Sequence, residues 1–406
     1  MNFPYFLAKR ITGQGQRVFS GLIVRVAIVG IALGLSAMIL SVAVLKGFKQ
    51  AIVSKQRGFF GDLTIFNKYW QLSEENQPLH LPSGTVDSLT QLRGGVQCKP
   101  IATKPAVMKA HDEVEGVVLK GIDKRYDQRF LKGILVKGDT ISFKDSVLAL
   151  QQVLISAYTA NRMRLDVGDH FIMYFVQEPL RKRKFVIAGI YNMGVEEVDK
   201  TFVIGDMGVI KRLNNWLESD VGGYQVRFGN FDKLSLMRGR VMKLLPQHVG
   251  TITVPEQYPE VFQWLDMLDV NTQIILILMI GVGAINMISA LLIMILERTS
   301  MIGILKALGF PNTGIRKVFI YHATTLIGFG LLLGNVLGLG IYFFQDQTHF
   351  FKLDEAAYYV AYVPVSISWW EVVGLNVGLL VICVLALLIP SGLISRLSPI
   401  KIIRWS

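Results

Sequence analysis

The sequence predicts an α-helical membrane protein with four transmembrane helices, one near the start of the chain and three near its end (1+3). A large extracytoplasmic α/β domain is predicted between the first and the second helix. Of the 406 residues, 51% are apolar and only 18% are charged, which is too apolar for a set of soluble domains. Long uncharged stretches occur at residues 26–45, 270–296, 318–344 and 372–394. At ~1.5 Å per residue, each can cross the ~30 Å hydrocarbon core of a bilayer as a helix.

Basic residues beside these stretches predict the orientation of the chain, because Lys and Arg near helix ends favour the cytoplasmic side. They dominate residues 1–25, 297–317 and the tail from 395, whereas the loop at 345–371 is acidic. Both termini are therefore predicted to be cytoplasmic. The contrary signal is a group of basic residues that follow the first stretch on its predicted outer side, namely Lys46, Lys49, Lys55 and Arg57. Orientation signals account for most of the net charge of +12, which removes the main argument for a nucleic-acid partner.

These patterns divide the chain into nine predicted segments. They are a cytoplasmic amphipathic elbow (1–20), the first span (21–47), the extracytoplasmic domain (48–265), the second span (266–296), a cytoplasmic helical segment (297–316), the third span (317–344), an outer loop (345–371), the fourth span (372–394) and a cytoplasmic tail (395–406). In the elbow, Asn2 can cap a helix whose apolar residues Phe3, Phe6, Leu7 and Ile11 face the membrane interface.

The extracytoplasmic segment alternates short β-rich runs with helical patterns, which predicts a mixed α/β domain. Predicted strands are 116–122, 153–155 and 224–228, with a hairpin that pairs 170–175 with 185–190. Its turn is predicted to contain Glu178, Pro179 and the basic run at 181–184. Residues 234–245 form a predicted amphipathic helix that ends before Pro246.

Residues 297–309 contain the clearest helical pattern outside the spans. Met301, Ile304, Leu305 and Leu308 fall at i, i+3, i+4 and i+7 and predict one apolar face. Gly309 follows where a helix-terminating glycine belongs, and Glu297 and Lys306 suit the two ends of a helix dipole. From the pattern alone, this helix is either a simple connector or a docking site for a cytosolic partner.

Small and polar residues inside the spans predict close helix packing. Glycines recur at four-residue spacing as Gly30 and Gly34, as Gly330, Gly334 and Gly338, and as Gly374 and Gly378. The polar residues Asn286, His322, Asn335 and Asn376 are expected to face the helix bundle, where they can form hydrogen bonds.

No catalytic or metal-binding motif is present. The chain has no Gly-Lys pair and hence no phosphate-binding P-loop, and its six His residues, at 80, 111, 170, 248, 322 and 349, lack metal-ligand spacing. The two cysteines, Cys98 and Cys383, exclude a disulfide scaffold. We therefore expect neither an enzyme nor a metal site.

Several stretches resemble one family. Residues 297–309, ERTSMIGILKALG, resemble the signature of FtsX-like ABC transporter permeases, with Met301 in place of the commoner acid. Residues 30–48 resemble the first span of the lipoprotein-releasing LolC/LolE-type permeases, and residues 358–365 and 390–404 resemble the last outer loop and tail of that group. Residues 121–123, 165–169 and 186–191 are similar to the MacB-type periplasmic core.

The resemblance implies a type VII ABC permease of the bacterial inner membrane, which uses mechanical coupling to a separate ATPase to release lipoproteins. The chain itself would hold no cofactor, since ATP and Mg²⁺ would bind the ATPase. Implied partners are a cytosolic ABC ATPase dimer, a second permease copy or paralogue, an acylated lipoprotein and a periplasmic chaperone. The ATPase-coupling residues would be Glu297, Met301, Ile304, Leu305, Lys306, Leu308 and Gly309. A lipid or substrate cavity would involve Met38, Val42, Phe48, Ile277 and Met279.

Other members of the same family leave alternatives open. LolC-kind permeases carry a hairpin insertion that recruits the chaperone, and the matching turn here, residues 178–184, is short and basic. This departure leaves a LolE-kind subunit, a homodimeric version or a different substrate. An FtsX-like mechanotransmitter that activates a cell-wall hydrolase would use the same spans, although its extracytoplasmic domain is typically smaller. A MacB-like export permease usually carries its own ATPase at the N-terminus.

Overall fold

The structure is a computed structural model that describes residues 18–68, 77–82, 84–354, 358 and 360–392, with the backbone alone for residues 18–23. The α-helices of these residues are α1 (Val18–Phe60), α2 (Thr85–Thr90), α3 (Gln128–Ile134), α4 (Ser146–Ala149), α5 (Ala157–Met163), α6 (Glu196–Thr201), α7 (Met207–Asn214), α8 (Leu234–Met242), α9 (Val254–Gln257), α10 (Pro259–Glu297), α11 (Thr299–Ala307), α12 (Asn312–Thr348) and α13 (Trp369–Ser391).

The strands form one sheet. They are β1 (Leu63–Asn67), β2 (Gln97–Ala110), β3 (Glu113–Ile122), β4 (Leu135–Gly138), β5 (Gln152–Ser156), β6 (His170–Phe175), β7 (Arg181–Tyr191), β8 (Phe202–Asp206), β9 (Gly223–Arg227) and β10 (Val249–Thr253).

Within the described residues, four helices are long and apolar enough to cross a membrane, namely α1 from Val24 onward, α10, α12 and α13. The prediction of four apolar helices is confirmed, and their placement in a bilayer stays a prediction. The helices exceed the predicted spans: α1 continues to Phe60 instead of ending at 47, and α10 begins at Pro259 instead of 266. The span ends were predicted from where the uncharged stretches end. The helices extend further because backbone hydrogen bonding continues through charged turns, such as those with Lys49 and Asp269.

The chain forms two compact units. Of the described residues, the helical unit comprises those up to Lys49, Trp264–Lys352 and those from Tyr362 to 392, and the α/β unit comprises those between Gln50 and Gln263 and between Leu353 and Ala361. In the helical unit, apolar side chains of all four long helices form one core, including Leu35, Met287, Phe319 and Leu379.

Six strands of the α/β unit close into a small barrel. They pair in the order β2, β3, β8, β5, β7 and β6, and β6 returns to pair with β2. Along β2, alternate residues such as Ala106 and Met108 are buried, as expected for a strand with one face on a core. The first half of β2 also pairs with β9, which continues through β1 to β10 as an antiparallel extension.

The predicted hairpin is confirmed, but its turn is shorter than expected. β6 pairs with β7 in antiparallel register, with Phe171 opposite Phe185. The basic run at 181–184 lies in β7 and not in the turn, so the turn covers residues 176–180 alone. Strand pairing extends this far because charged side chains are tolerated on the exposed strand face opposite buried Phe185, where Lys182 and Lys184 lie.

Two predicted segments lie largely outside the described residues. The amphipathic elbow was predicted at residues 1–20, of which residues 18–20 already belong to α1. The cytoplasmic tail at 395–406 lies entirely outside them. Both segments stay predictions.

Candidate functional site: the connection between α10 and α12

A connecting segment, residues 298–311, joins α10 to α12 and contains the short helix α11. One residue, Arg298, separates α10 from α11, with φ of −101° and ψ of 17°. Hydrogen bonding continues across it, since the Arg298 N–H donates to the Met294 carbonyl at 3.2 Å and the Ile302 N–H donates to the Arg298 carbonyl at 3.0 Å. The two helices are therefore joined by a nearly continuous backbone ladder.

A Schellman motif ends α11. The Gly309 N–H donates to the Lys306 carbonyl and the Phe310 N–H donates to the Leu305 carbonyl, both at 3.0 Å. Gly309 has a φ of +81°, which an L side chain rarely adopts, so glycine is required at the position where the pattern predicts it. Phe310 then covers Gly314 of α12, where an added Cβ would lie 2.6 Å from the Phe310 ring. The turn into α12 is therefore tightly specified.

The four apolar residues of α11 and its C-terminus do not share one environment, which corrects the prediction of a single apolar face. Ile302 is buried in the helical unit, and Met301 and Leu305 pack partly against the same core. In contrast, Ile304 is 55% exposed and Leu308 is 78% exposed. At ~100° per residue, Ile304 lies about 200° around the helix from Ile302, so burial of Ile302 turns Ile304 outward. Ile304 and Leu308, one turn apart, form an exposed apolar pair.

The two charged residues of the predicted coupling set lie at different kinds of position. Glu297 is the last residue of α10 and not in the first turn of α11, so the predicted interaction of its carboxylate with the N-terminal end of the α11 dipole is corrected. Lys306 lies in the last turn of α11, where a cation is favourable next to the C-terminal carbonyls. Partial burial lowers the pKa of the Lys306 ammonium from its ordinary value.

The residues predicted to line a lipid cavity lie in different environments within this chain. Met38 is buried in the core of the helical unit and Met279 packs partly against that core, whereas Ile277 is 69% exposed. Val42 and Phe48 are half-buried. Ile277 and Met279 are two residues apart on α10 and therefore face different directions. The lipid cavity stays a prediction.

Five of the seven predicted packing glycines lie against another long helix. Gly30 faces Asn286 and Gly34 faces the Met279 carbonyl, so both lie toward α10. Gly330, Gly334 and Gly338 form a face of α12 against α1, where an added Cβ would come within 2.8 to 3.1 Å of Ile31, Leu35 and Ser36. Gly374 and Gly378 differ, because a Cβ on either meets nothing within 4 Å among the residues that the structure describes. For these two, close packing against other described residues is corrected to an open helix face.

The polar residues of the long helices lie as the sequence predicts, toward neighbouring helices. Asn335 and Asn376 exchange two hydrogen bonds of 2.7 and 3.0 Å between α12 and α13. Each amide also donates to the carbonyl four residues earlier on its own helix. His322 is buried. The asparagine pair fixes the register of α12 against α13.

Sequence reasoning missed a set of contacts near the end of the first predicted span. Lys46 donates two hydrogen bonds, of 2.8 and 2.9 Å, to the Glu371 carboxylate of α13, and Lys49 pairs with Asp269 of α10. Arg57 forms an ion pair with buried Asp62. These pairs account for three of the four basic residues that contradicted the predicted orientation, because acidic side chains neutralise them locally. The acidic residues at 266, 269 and 371 were the signal in the sequence from which the pairing of Lys46 and Lys49 could have been predicted.

Comparisons with known proteins agree with this architecture. A family model described as the MacB-like periplasmic core domain matches residues 26–226, and a model described as the FtsX-like permease C-terminal matches residues 273–399. The second range includes the connecting segment, α12 and α13.

Curated relatives match nearly the whole chain. The lipoprotein-releasing system transmembrane protein LolC of Neisseria meningitidis serogroup B is 24% identical over 99% of this chain and 97% of that protein. LolE of Haemophilus influenzae is 19% identical over 99% of both chains. Among solved structures, the periplasmic region of MacB from Actinobacillus actinomycetemcomitans is 15% identical and covers 52% of this chain and 97% of that one, with a TM-score of 0.36. The chain therefore contains a MacB-like periplasmic core domain and an FtsX-like permease C-terminal domain, and it is similar over nearly its whole length to the LolC/LolE-type permeases.

Proposed function

We propose that this chain is the transmembrane subunit of a type VII ABC transporter that releases lipoproteins from a bacterial inner membrane, driven by a separate cytosolic ATPase. The relatives named above are lipoprotein-releasing system transmembrane proteins and align with nearly the whole chain. ATP and Mg²⁺ bind the partner ATPase, since this sequence has no Gly-Lys pair with which to form a P-loop. Both termini and the connecting segment lie in the cytoplasm, as the distribution of basic residues favours.

The exposed apolar pair, Ile304 and Leu308, is the observation that supports coupling to an ATPase. Two neighbouring aliphatic side chains exposed on a segment that is predicted to face the cytoplasm can form a contact with another protein. Met301, Ile302 and Leu305 of the same helix pack against the core of the helical unit. A partner that binds Ile304 and Leu308 therefore acts on a helix that is fixed to the bundle.

The path from the connecting segment to the long helices supports a mechanical role. Only Arg298 separates α11 from α10, and the Schellman motif with Phe310 fixes the entry into α12. When two ATPase subunits close on ATP, they displace α11 and with it the end of α10. The acylated substrate then moves with the extracytoplasmic part of a permease dimer instead of passing through a channel.

The β6–β7 turn bears on the division of labour between the two permeases of the dimer. It covers residues 176–180, which leaves no room in this hairpin for the chaperone-recruiting insertion of LolC-kind permeases. We therefore assign the chain a LolE-like or homodimeric role, in which chaperone recruitment falls to another surface or subunit.

Co-purification in mild detergent tests the proposal as a whole. Mass spectrometry of the purified complex should identify a small ABC ATPase together with di- or triacylated lipoproteins. Recovery of an ATPase with a cell-wall hydrolase would instead favour the mechanotransmitter function, and absence of any ATPase would contradict coupling.

A Leu308→Glu variant tests the exposed apolar pair. A charge at the contact should weaken binding of the ATPase and reduce ATP-dependent lipoprotein release, with normal insertion of the permease. Leu217→Glu is the matched control, because Leu217 is 70% exposed in the α/β unit, far along the chain from the connecting segment. Equal release by wild type and the Leu308→Glu variant would contradict the assignment of the docking site.

A further inference from the structure

Two lysines are buried on neighbouring strands of the α/β unit, Lys104 on β2 and Lys120 on β3. Burying a lysine is unfavourable unless its ammonium group is well compensated. Lys104 donates a hydrogen bond of 2.7 Å to the side chain of Asn214, the last residue of α7. Lys120 instead contacts the end of α1, so the two residues share burial but differ in what they bind.

Lys120 lies in a cage of aromatic rings at the C-terminus of α1. Its Nζ donates a hydrogen bond to the Phe59 carbonyl and lies 3.7 Å from the centre of the Phe59 ring. The rings of Phe60 and Tyr126 lie 5.3 and 5.5 Å away. Ring faces and the C-terminal end of a helix both attract a cation, and these contacts partly offset the loss of water. Burial nevertheless lowers the pKa of Lys120 well below its ordinary value.

Tyr126 completes the contact with the helix end. Its hydroxyl group lies 3.1 Å from the Phe59 carbonyl and 3.2 Å from the Gly58 carbonyl. The last carbonyls of an α-helix have no partner within the helix and need one elsewhere. Lys120 and Tyr126 supply those partners for α1 from β3 and the turn that follows it.

The surrounding packing leaves the end of α1 little freedom. A Cβ on Gly58 would lie 2.1 Å from the Phe130 ring, and Phe59 and Phe60 are buried in a cluster with Ile122, Leu154 and Ile204. On the other side, Arg57 pairs with Asp62 and donates to the Phe228 carbonyl at 2.7 Å. The last turn of α1 is therefore part of the core of the α/β unit.

We propose that Lys120 and Tyr126 form a latch that fixes the C-terminal end of α1 to the core of the α/β unit, so that movement of α1 is passed to that unit and is not lost by fraying of the helix end. This inference rests on the proposed function, in which motion of the long helices performs the work. Lys120 and Tyr126 are positioning residues, since they act through the backbone of α1.

Variants of the full-length permease in complex with its ATPase test the latch. Lys120→Met removes the ammonium group at similar side-chain length, and Tyr126→Phe removes the hydroxyl group alone. Lys104→Met is the matched control, a second buried lysine whose ammonium group donates to Asn214 at the end of α7. Hydrogen exchange at residues 58–61 reports on the helix end, and lipoprotein released per ATP hydrolysed reports on coupling.

The latch predicts exchange about tenfold faster or more at residues 58–61 in Lys120→Met and Tyr126→Phe, as expected when a buried hydrogen bond to a helix end is lost. Release per ATP should fall severalfold in both variants, while Lys104→Met behaves as wild type in both measurements. If Lys120→Met does not fold, Tyr126→Phe decides.

Unchanged exchange at residues 58–61, unchanged release per ATP, or an equal loss in Lys104→Met would each overturn the latch. A wild-type complex that releases no lipoprotein would contradict the proposed function instead. In that case hydrogen exchange alone decides whether Lys120 and Tyr126 hold the helix end.

Discussion

Gly47 of α1 lies directly against the backbone of Pro364, so closely that a Cβ at position 47 would be 2.2 Å from the Pro364 carbonyl oxygen. The Ser366 N–H donates to the Ala43 carbonyl at 2.9 Å, one turn earlier on α1. The segment before α13 therefore packs against α1 at a position where only glycine fits. The resemblance to LolC/LolE-type permeases rests in part on these two stretches, Gly47-Phe48 at the end of the first span and 362–365 in the last outer loop.

Gly47→Ala should therefore destabilise the helical unit by ~1–3 kcal/mol, because the loop must move to accommodate the methyl group. Thermal unfolding of the purified permease in detergent measures the effect. Gly374→Ala is the control, since a Cβ there meets open space and alanine is the better helix former. A Gly47→Ala variant as stable as the Gly374→Ala variant would contradict the close approach.

Asn335 and Asn376 should be coupled energetically. Replacing either one with leucine leaves the other amide without its partner on the neighbouring helix, whereas replacing both removes the need for a partner. We expect a coupling energy of ~0.6–2 kcal/mol from a double-mutant cycle of unfolding in bilayers or detergent. Additive losses in the cycle would show that the two residues do not interact.

The Lys49–Asp269 pair between α1 and α10 should respond to charge reversal. Lys49→Glu places like charges beside Asp269 and Asp266 and should destabilise the contact, and Asp269→Lys in the same chain should restore most of the loss. The pair is partly exposed, so the direct contribution is small, ~1 kcal/mol or less. Unfolding of the single and double variants at low and high salt measures it, and failure of the double variant to recover would argue against the pairing.

Lys120 predicts a pH dependence of stability. Burial lowers the pKa of Lys120 in the folded protein below its value in the unfolded chain, so the unfolded chain binds more protons between these two pKa values. In that window, the free energy of unfolding contributed by Lys120 rises as pH rises toward the unfolded pKa.

The measurement is the unfolding free energy of wild type minus that of Lys120→Met between pH 7 and about 9, below the range in which tyrosines titrate. The difference should increase with pH. Burial raises the pKa values of Tyr126 and Tyr258, so both hydroxyl groups stay protonated in wild type and variant over this range. A difference that stays flat over this range would show that Lys120 keeps an ordinary pKa.

Much of the fold follows from local patterns. Uncharged stretches located the four apolar helices, alternation located the β6–β7 hairpin, and Gly309 with its neighbours predicted the end of α11. Helix ends were less predictable: α1 and α10 extend through charged turns because Lys49 and Asp269 compensate each other, which depends on residues far apart in the sequence. The basic run at 181–184 was assigned to a turn because its charges hide the strand pattern. Pairing with β6 makes this run part of a strand.

For the predicted site residues too, the local pattern was predictable and the tertiary contacts were not. The spacing of Met301, Ile304, Leu305 and Leu308 defined a helix, but which side faces outward depended on the burial of Ile302 against other helices. Gly374 and Gly378 have the same spacing as Gly330 and Gly334, yet only the second pair meets a neighbouring helix. Spacing fixes which residues share a face and says nothing of what that face meets.

The sequence by itself determined the class of this protein: four apolar helices, an α/β domain, a connecting helix with a specified end, and no nucleotide-binding motif. Those properties depend on hydrophobicity, periodicity and single residues such as Gly309, which act over one or two turns of chain. Only the tertiary structure decided that Ile304 and Leu308 are exposed, that Gly47 lies under Pro364 and that Lys120 closes the end of α1. These are contacts between residues tens to hundreds of positions apart, and their energies depend on burial and geometry that exist only once the chain has folded.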